Sequence, residues 1–276
     1  MEEGVEPAVP NEPASADGAA AALQGASLAG LRIIVTGSSS GIGRAILLEL
    51  AAAGADLIAH ANRTFPAADR LARELALAGR RAVALRGDLR KPDDRTRLVE
   101  EAFAAFGGID VWINNAGADI LTGGKHGLPF EEKLAELLDV DVRATILLTR
   151  LAGARMKAAG VGSIINVGWD QALTGMEGDS GELFAASKGA VMAFTKSAAL
   201  SLAPEVRVNC IAPGWIRTAW GDRAGQEWQE RVLRETPLGR WGTPEDVALV
   251  ARFLASPTAR FVTGQVICVN GGAVRA

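Results

Sequence analysis

A β-branched run at residues 31–36 stops at Gly37. Beyond Gly41 and Gly43, apolar residues return at Ile42, Ile46 and Leu50, at helical spacing. A strand that turns on glycine straight into a helix is the opening of an α/β unit, and the rest of the chain repeats that rhythm. Further strand-like runs fall at residues 57–60, 82–85, 111–114, 163–167, 206–211 and 266–269. Amphipathic stretches lie between them, as at 67–78 and 95–106. The strand runs are apolar on both faces, which requires a parallel sheet covered by helices on both sides. The expected fold is therefore α/β, a doubly wound parallel sheet in a single domain. No internal repeat or linker divides it.

Residues 1–28 stand apart. They hold Glu2, Glu3, Glu6, Glu12 and Asp17, no Lys or Arg, and much Ala and Pro. The expected division is a solvated, disordered tail over 1–28 and a folded domain over 29–276, with a partner-binding arm as the other reading of the tail. The tail lacks the positive start and apolar core of a secretory signal. Its five carboxylates exceed the chain's net charge of −3, which leaves residues 29–276 slightly positive at +2. Such a balance argues against a general nucleic-acid binder. No uncharged apolar stretch is long enough for a membrane span. Two cysteines, Cys210 and Cys268, cannot build a disulfide framework and fit a reducing cytoplasm. Two histidines, His60 and His126, and no paired cysteines leave no basis for a metal site.

The glycine turn reads Thr36-Gly37-Ser38-Ser39-Ser40-Gly41-Ile42-Gly43-Arg44. Gly37 permits the tight turn, and Gly41 and Gly43 let backbone approach a ligand. The helix that follows offers free N–H groups and a positive dipole end to a pyrophosphate. The position between strand and helix is what turns a glycine cluster into a dinucleotide-binding expectation. At the end of the second strand, His60-Ala61-Asn62-Arg63 carries no acid for a pair of ribose hydroxyls. Arg63 there, next to Asn62, is placed for a 2′-phosphate, so the expected cofactor is NADP(H) rather than NAD(H).

With TGSSSGIG come Asn114-Asn115-Ala116-Gly117, Ala186-Ser187-Lys188, Ala212-Pro213-Gly214 and Val269-Asn270-Gly271-Gly272, in that order. The chain resembles the short-chain dehydrogenase/reductase family, with its single-domain Rossmann-type fold, over about residues 30–274. The resemblance implies that Gly37, Ser39, Ser40, Gly41 and Ile42 surround the cofactor phosphates. It places Asp88 and Leu89 at the adenine, and Asn115, Ala116 and Gly117 along the ribose. Pro213, Gly214 and Ile216 would meet the nicotinamide end, with Thr218 nearby. It also implies pairing of copies through the helix that begins near Phe184 and the one before it, as a homodimer or homotetramer. That helix is apolar nearly all round, so burial on more than one side is expected.

The catalytic pattern of the family breaks in this chain. The family uses a tyrosine as proton donor or acceptor and a lysine four residues later that lowers the tyrosine pKa and binds ribose. A serine orients the carbonyl, and an asparagine supports a water relay. Of these only Lys188 remains. Phe184 occupies the tyrosine slot, Trp169 the serine slot and Asp141 the asparagine slot, and the chain contains no tyrosine at all. Losing a positioned general acid costs about 10²–10⁴ in rate.

Two functional readings stay open. One is an enzyme with a rebuilt site that transfers hydride to or from a carbonyl or imine carbon. A carboxyl desolvated beside Trp169 and Phe184 would serve as acid, with Asp170 and Asp179 as candidates, or Lys188 would donate directly. The other is a catalytically inactive NADP(H)-binding regulatory or sensor protein. A scaffold without nucleotide leaves the glycine turn and Asp88 without a purpose. On the substrate side, Trp215, Trp220, Trp228 and Trp241 cluster within residues 213–242, joined by Trp169. They suggest stacking on a planar ring substrate, against ordinary lid packing. Asp222, Arg223 and Arg231 are candidates to orient a polar substituent.

Overall fold

Seven strands form one parallel sheet in a computed structural model that describes residues 27–122 and 124–275. They are β1 (Arg32–Val35), β2 (Asp56–Ala61), β3 (Ala82–Arg86), β4 (Val111–Asn114), β5 (Gly162–Val167), β6 (Val206–Pro213) and β7 (Val266–Val269). Their order is β3-β2-β1-β4-β5-β6-β7. The chain runs outward from β1 to β3, then crosses back to place β4 on the other side of β1. That reversal leaves a crevice at the carboxyl ends of β1 and β4, where ligands bind in open α/β sheets.

The helices are α1 (Gly41–Ala52), α2 (Phe65–Leu77), α3 (Pro92–Ala105), α4 (Phe130–Leu137), α5 (Thr145–Ala159), α6 (Asp179–Leu202), α7 (Gln226–Glu235) and α8 (Pro244–Ala255). Alternation along each strand sends neighbours to opposite faces. In β1, Ile33 and Val35 join the core under α1, α2 and α8, while Ile34 joins the core under α3, α5 and α6. All three are fully buried. Each such side chain contributes about 1.5–3 kcal/mol by leaving water. Sheet and helices thus make two cores on one rigid platform, and the loops at the strand ends are held from both sides.

Differences from the sequence reading have local causes. The helix expected at 95–106 begins three residues earlier, at Pro92. Its first turn is polar, so periodicity missed it, but proline at a helix start is favourable. The expected tail ended at residue 28, yet Leu28 is fully buried in the core and its N–H donates to the Ala53 carbonyl at 2.9 Å. The fold therefore includes Leu28. The rest of that expectation, residues 1–26, lies outside the described residues. Helix α6 buries Leu183, Val191, Met192, Ala198 and Ala199, but Ala186, Ala190, Ala193 and Ser197 form an exposed stripe. Within one chain it is covered on one side only; the wider burial expected of it was through pairing of copies.

Candidate active site

The glycine turn is fixed by close packing. Gly37 takes φ +66°, and a Cβ there would lie 2.7 Å from the Ala116 Cα. A Cβ on Gly43 would collide with the Gly37 carbonyl and the Asn115 side-chain amide. That amide donates to the Thr36 and Gly37 carbonyls at 2.9 and 3.1 Å. Thr36 Oγ1 in turn accepts the N–H groups of Asn115 and Ala116, each at 3.0 Å. The turn after β1 and the segment after β4 are thereby bolted together across the crevice. At the start of α1, Ser40 makes no side-chain cap bond and no acid stands in the first turn. The first-turn N–H groups have no intrahelical acceptors, which leaves them open toward the cavity.

A cavity of about 630 Å³ runs along this turn. Its walls include Ser39, Ser40, Ile42, Asn62, Arg63, Asp88, Leu89, Asn115 and Gly117. Arg63 is exposed on the rim. The Asp88 carboxylate accepts two bonds from the Arg90 guanidinium, at 2.9 and 2.6 Å. Arg90 holds it down at about 2, well below the usual carboxylate range. Arg90 was not legible beforehand, because nothing in its spacing from Asp88 marks it. Ile216, expected near the nicotinamide end, lines a second cavity of about 490 Å³ with Thr236, Leu238, Cys268 and Asn270. Thr218 lines the first.

Deeper in the crevice, Lys188 Nζ lies 2.7 Å from Asp141 Oδ2 and donates to the Val167 carbonyl at 3.3 Å. Asp141 is fully buried, and its Oδ1 accepts the Ala118 N–H at 2.7 Å. It sits in a widened helical stretch, Leu138–Ala144, between α4 and α5. Such widened turns recur at functional sites because they re-aim a side chain. The Lys188 side chain keeps 13% exposure. Phe184, one turn earlier on α6, meets Trp169 edge to face, with ring centroids 6.1 Å apart. The two rings put an apolar wall beside Lys188's helix.

The other two candidate acids diverge. Asp170 has no solvent exposure. It accepts from Asn270 Nδ2 at 3.0 Å and from the Gln171 N–H at 2.8 Å. Burial pushes its carboxyl up to about 6. Its partners lie at the end of β7 and on its own loop. Asp179 is exposed in the first turn of α6, where a carboxylate complements the helix dipole. The structure therefore brings Lys188 and Asp141 together and leaves Asp179 in solvent.

The tryptophans face one another. Trp215 lies 5.5–6.3 Å, centroid to centroid, from Trp220, Trp228 and Trp241. Trp215 and Trp241 are buried. Arg231 joins Glu177 and Glu235 and lies over the Trp228 ring, so its guanidinium is engaged within the lid. Asp222 and Arg223 are exposed. Among the described residues no His, Cys, Asp and Glu group could hold a metal ion, and no helix is long and apolar enough to cross a membrane.

A glycine turn at the switch point of a doubly wound parallel sheet places the chain in the Rossmann-type α/β class. The chain belongs to the short-chain dehydrogenase/reductase family: residues 37–274 match the family described as enoyl-(acyl carrier protein) reductase. A 3-oxoacyl-[acyl-carrier-protein] reductase of Synechocystis is 34% identical over 247 residues, 87% of this chain and 96% of that protein. A gluconate 5-dehydrogenase from Burkholderia cenocepacia, solved with NADP and tartrate, is 30% identical. Its TM-score is 0.82, over 91% of this chain and 98% of that one. A 7α-hydroxysteroid dehydrogenase solved with NADH and a 7-oxo bile acid has a TM-score of 0.83 at 29% identity, over 92% and 98% of the two chains.

Proposed function

We propose that this chain is an NADP(H)-dependent oxidoreductase that moves a hydride to or from a carbonyl or imine carbon by a site without tyrosine. The observation that carries the reading is the Lys188–Asp141 pair, at 2.7 Å, held against Ala118, which lines the same cavity as Ser39 and Ser40 before α1. The residues present fit the cofactor. The α1 N–H groups with Ser39 and Ser40 suit its pyrophosphate, and Arg63 its 2′-phosphate. Asp88 and Leu89 suit the adenine. Asn115, Ala116, Gly117 and Lys188 suit the ribose, and Pro213 and Gly214 the nicotinamide end. When bound, NADP(H) supplies or accepts the hydride. Asp141 orients the Lys188 ammonium. In the reducing direction, Lys188 gives a proton to the substrate oxygen or nitrogen and recovers one from water. Trp169 and Phe184 keep bulk water from the reacting carbon.

Lys188 is the donor we assign because it alone of the three candidates combines a buried partner with residual exposure. Lys188→Arg keeps a cation for the ribose but removes the transferable proton. It is expected to bind NADPH within about threefold of wild type and to lose turnover by about 10²-fold or more. Lys188→Met loses both. Full turnover in Lys188→Arg would move the assignment to Asp170.

A second reading, a cofactor-binding sensor without turnover, is favoured by the Trp169–Phe184 contact and by the complete burial of Asp170. Tight NADPH binding with no oxidation by any of a panel of planar ketones and imines would support it. With Trp215 and Trp241 buried, the half-buried Trp220 and Trp228 remain as the aromatic surface for a ring substrate. The exposed small-residue stripe on α6 supports pairing of two copies into a homodimer or homotetramer. The free thiols of Cys210 and Cys268 support a reducing, cytoplasmic setting.

A further inference from the structure

We propose that His60, at the end of β2, is a positioning residue for the cofactor: its neutral ring ties the phosphate-binding turn to the adenine-side turn and sets the spacing between them. The inference rests on the cofactor reading above and deepens it. His60 is 2% exposed. Its Nδ1 accepts the Gly37 N–H at 3.3 Å, and its Nε2 lies 3.2 Å from the Gly87 carbonyl. Its backbone N–H donates to Ser38 Oγ at 3.0 Å, and its carbonyl accepts the Ser38 N–H at 3.0 Å. The glycine turn thus hangs on His60 by three bonds, while the fourth reaches the residue before Asp88.

The partners fix the protonation. Gly37 offers a donor, so Nδ1 must be bare. Gly87 offers an acceptor, so Nε2 must carry the hydrogen. An imidazolium would set two N–H groups against each other at Gly37. Burial favours the neutral ring and pushes His60 down to about 4, against the pull of the nearby Asp94 carboxylate. The ring's two nitrogens point apart, which lets one side chain span two loops. A ring of this length between them is a spacer as well as a bond, since a Cβ on Gly87 would already lie 3.4 Å from Nε2.

Two substitutions separate the bonds. Asn places an acceptor where Nδ1 stands and cannot reach Gly87. Gln places a donor near the Nε2 position and releases Gly37. NADPH titration of the full chain is expected to show both His60→Asn and His60→Gln weaker than wild type by about tenfold or more, because each variant releases one of the two turns. Thermal melts of both variants establish that they fold. Affinity within about threefold of wild type in either variant, with both folded, would overturn the proposal, because the turn released in that variant would then not need the ring. Ring ¹⁵N NMR of the wild type at pH 7 needs no ligand or variant. The chain has only two histidines, so His126→Gln completes the assignment. A bare Nδ1 with a protonated Nε2 is expected, and the opposite tautomer or a charged ring would overturn the proposal. If the wild type binds no dinucleotide, the cofactor reading fails while the NMR result still judges the ring's anchoring.

Discussion

At the scale of single residues, burial shifts Asp170 and His60 in opposing senses. Burial raises Asp170 to about 6. Between about pH 4 and 6 the unfolded chain gives up that proton and the native state keeps it, so this group's contribution to stability falls as pH rises through the window. Asp170→Asn removes the effect. Relative to wild type, the variant should gain about 3 kcal/mol between pH 4 and 7, read by urea denaturation at several pH values. His60 acts the other way. Its value falls from 6.5 to about 4, so its contribution is complete above pH 6.5 and is lost as pH falls toward 4. Wild type should therefore show a flatter acid limb than either single variant. The sequence placed Asp170 as a desolvated acid because aromatic neighbours flank it. It did not show that Asn270, a hundred residues on, would be its partner. Likewise the Asp141–Lys188 pair was invisible as a pair, because only the fold brings α6 against the widened stretch before α5.

At the scale of elements, the turn between β1 and α1 is where local sequence and tertiary packing agree most fully. The glycines were legible because each answers a backbone need, and Gly37 and Gly43 meet the NNAG segment with no room for a methyl group. Gly43→Ala forces Asn115 and the Gly37 carbonyl apart. It is expected to weaken NADPH binding by about tenfold or more and to lower the melting temperature, measured by titration and calorimetry. Helix α8 illustrates a boundary that chemistry alone fixes. Thr243 and Asp246 form a reciprocal capping box ahead of Pro244. Thr243→Ala should cost about 1 kcal/mol in denaturant unfolding with cofactor affinity unchanged. The lid was less legible. Four tryptophans in a short span pointed to a platform for a ring, and the structure spends most of their faces on one another. Sequence spacing cannot distinguish rings that meet a ligand from rings that meet each other.

At the scale of the whole molecule, the doubly wound sheet was readable from the alternation of strand and helix periods together with the glycine turn after the first strand, since short strands apolar on both faces need helices on each side. The outer surface of α6 belongs to the same reading, which joined burial on more than one side to pairing of copies. An all-round apolar helix reads as buried, yet a single chain covers one side, and the remaining stripe awaits another surface. Ala190→Arg places a charge in that stripe. If copies pair as proposed, light scattering should show a dimer or tetramer for the wild type and a monomer for Ala190→Arg, with thermal melts establishing that the variant folds. We propose that this family member has kept a cofactor site for NADP(H) while its proton chemistry departs from tyrosine. Calorimetric titration of the wild-type protein with NADPH and with NADH, alongside Arg63→Ala, tests it most directly. NADPH should bind at least about tenfold tighter than NADH, and Arg63→Ala should remove the difference. Absence of binding to either dinucleotide, or a preference for NADH, would contradict the account.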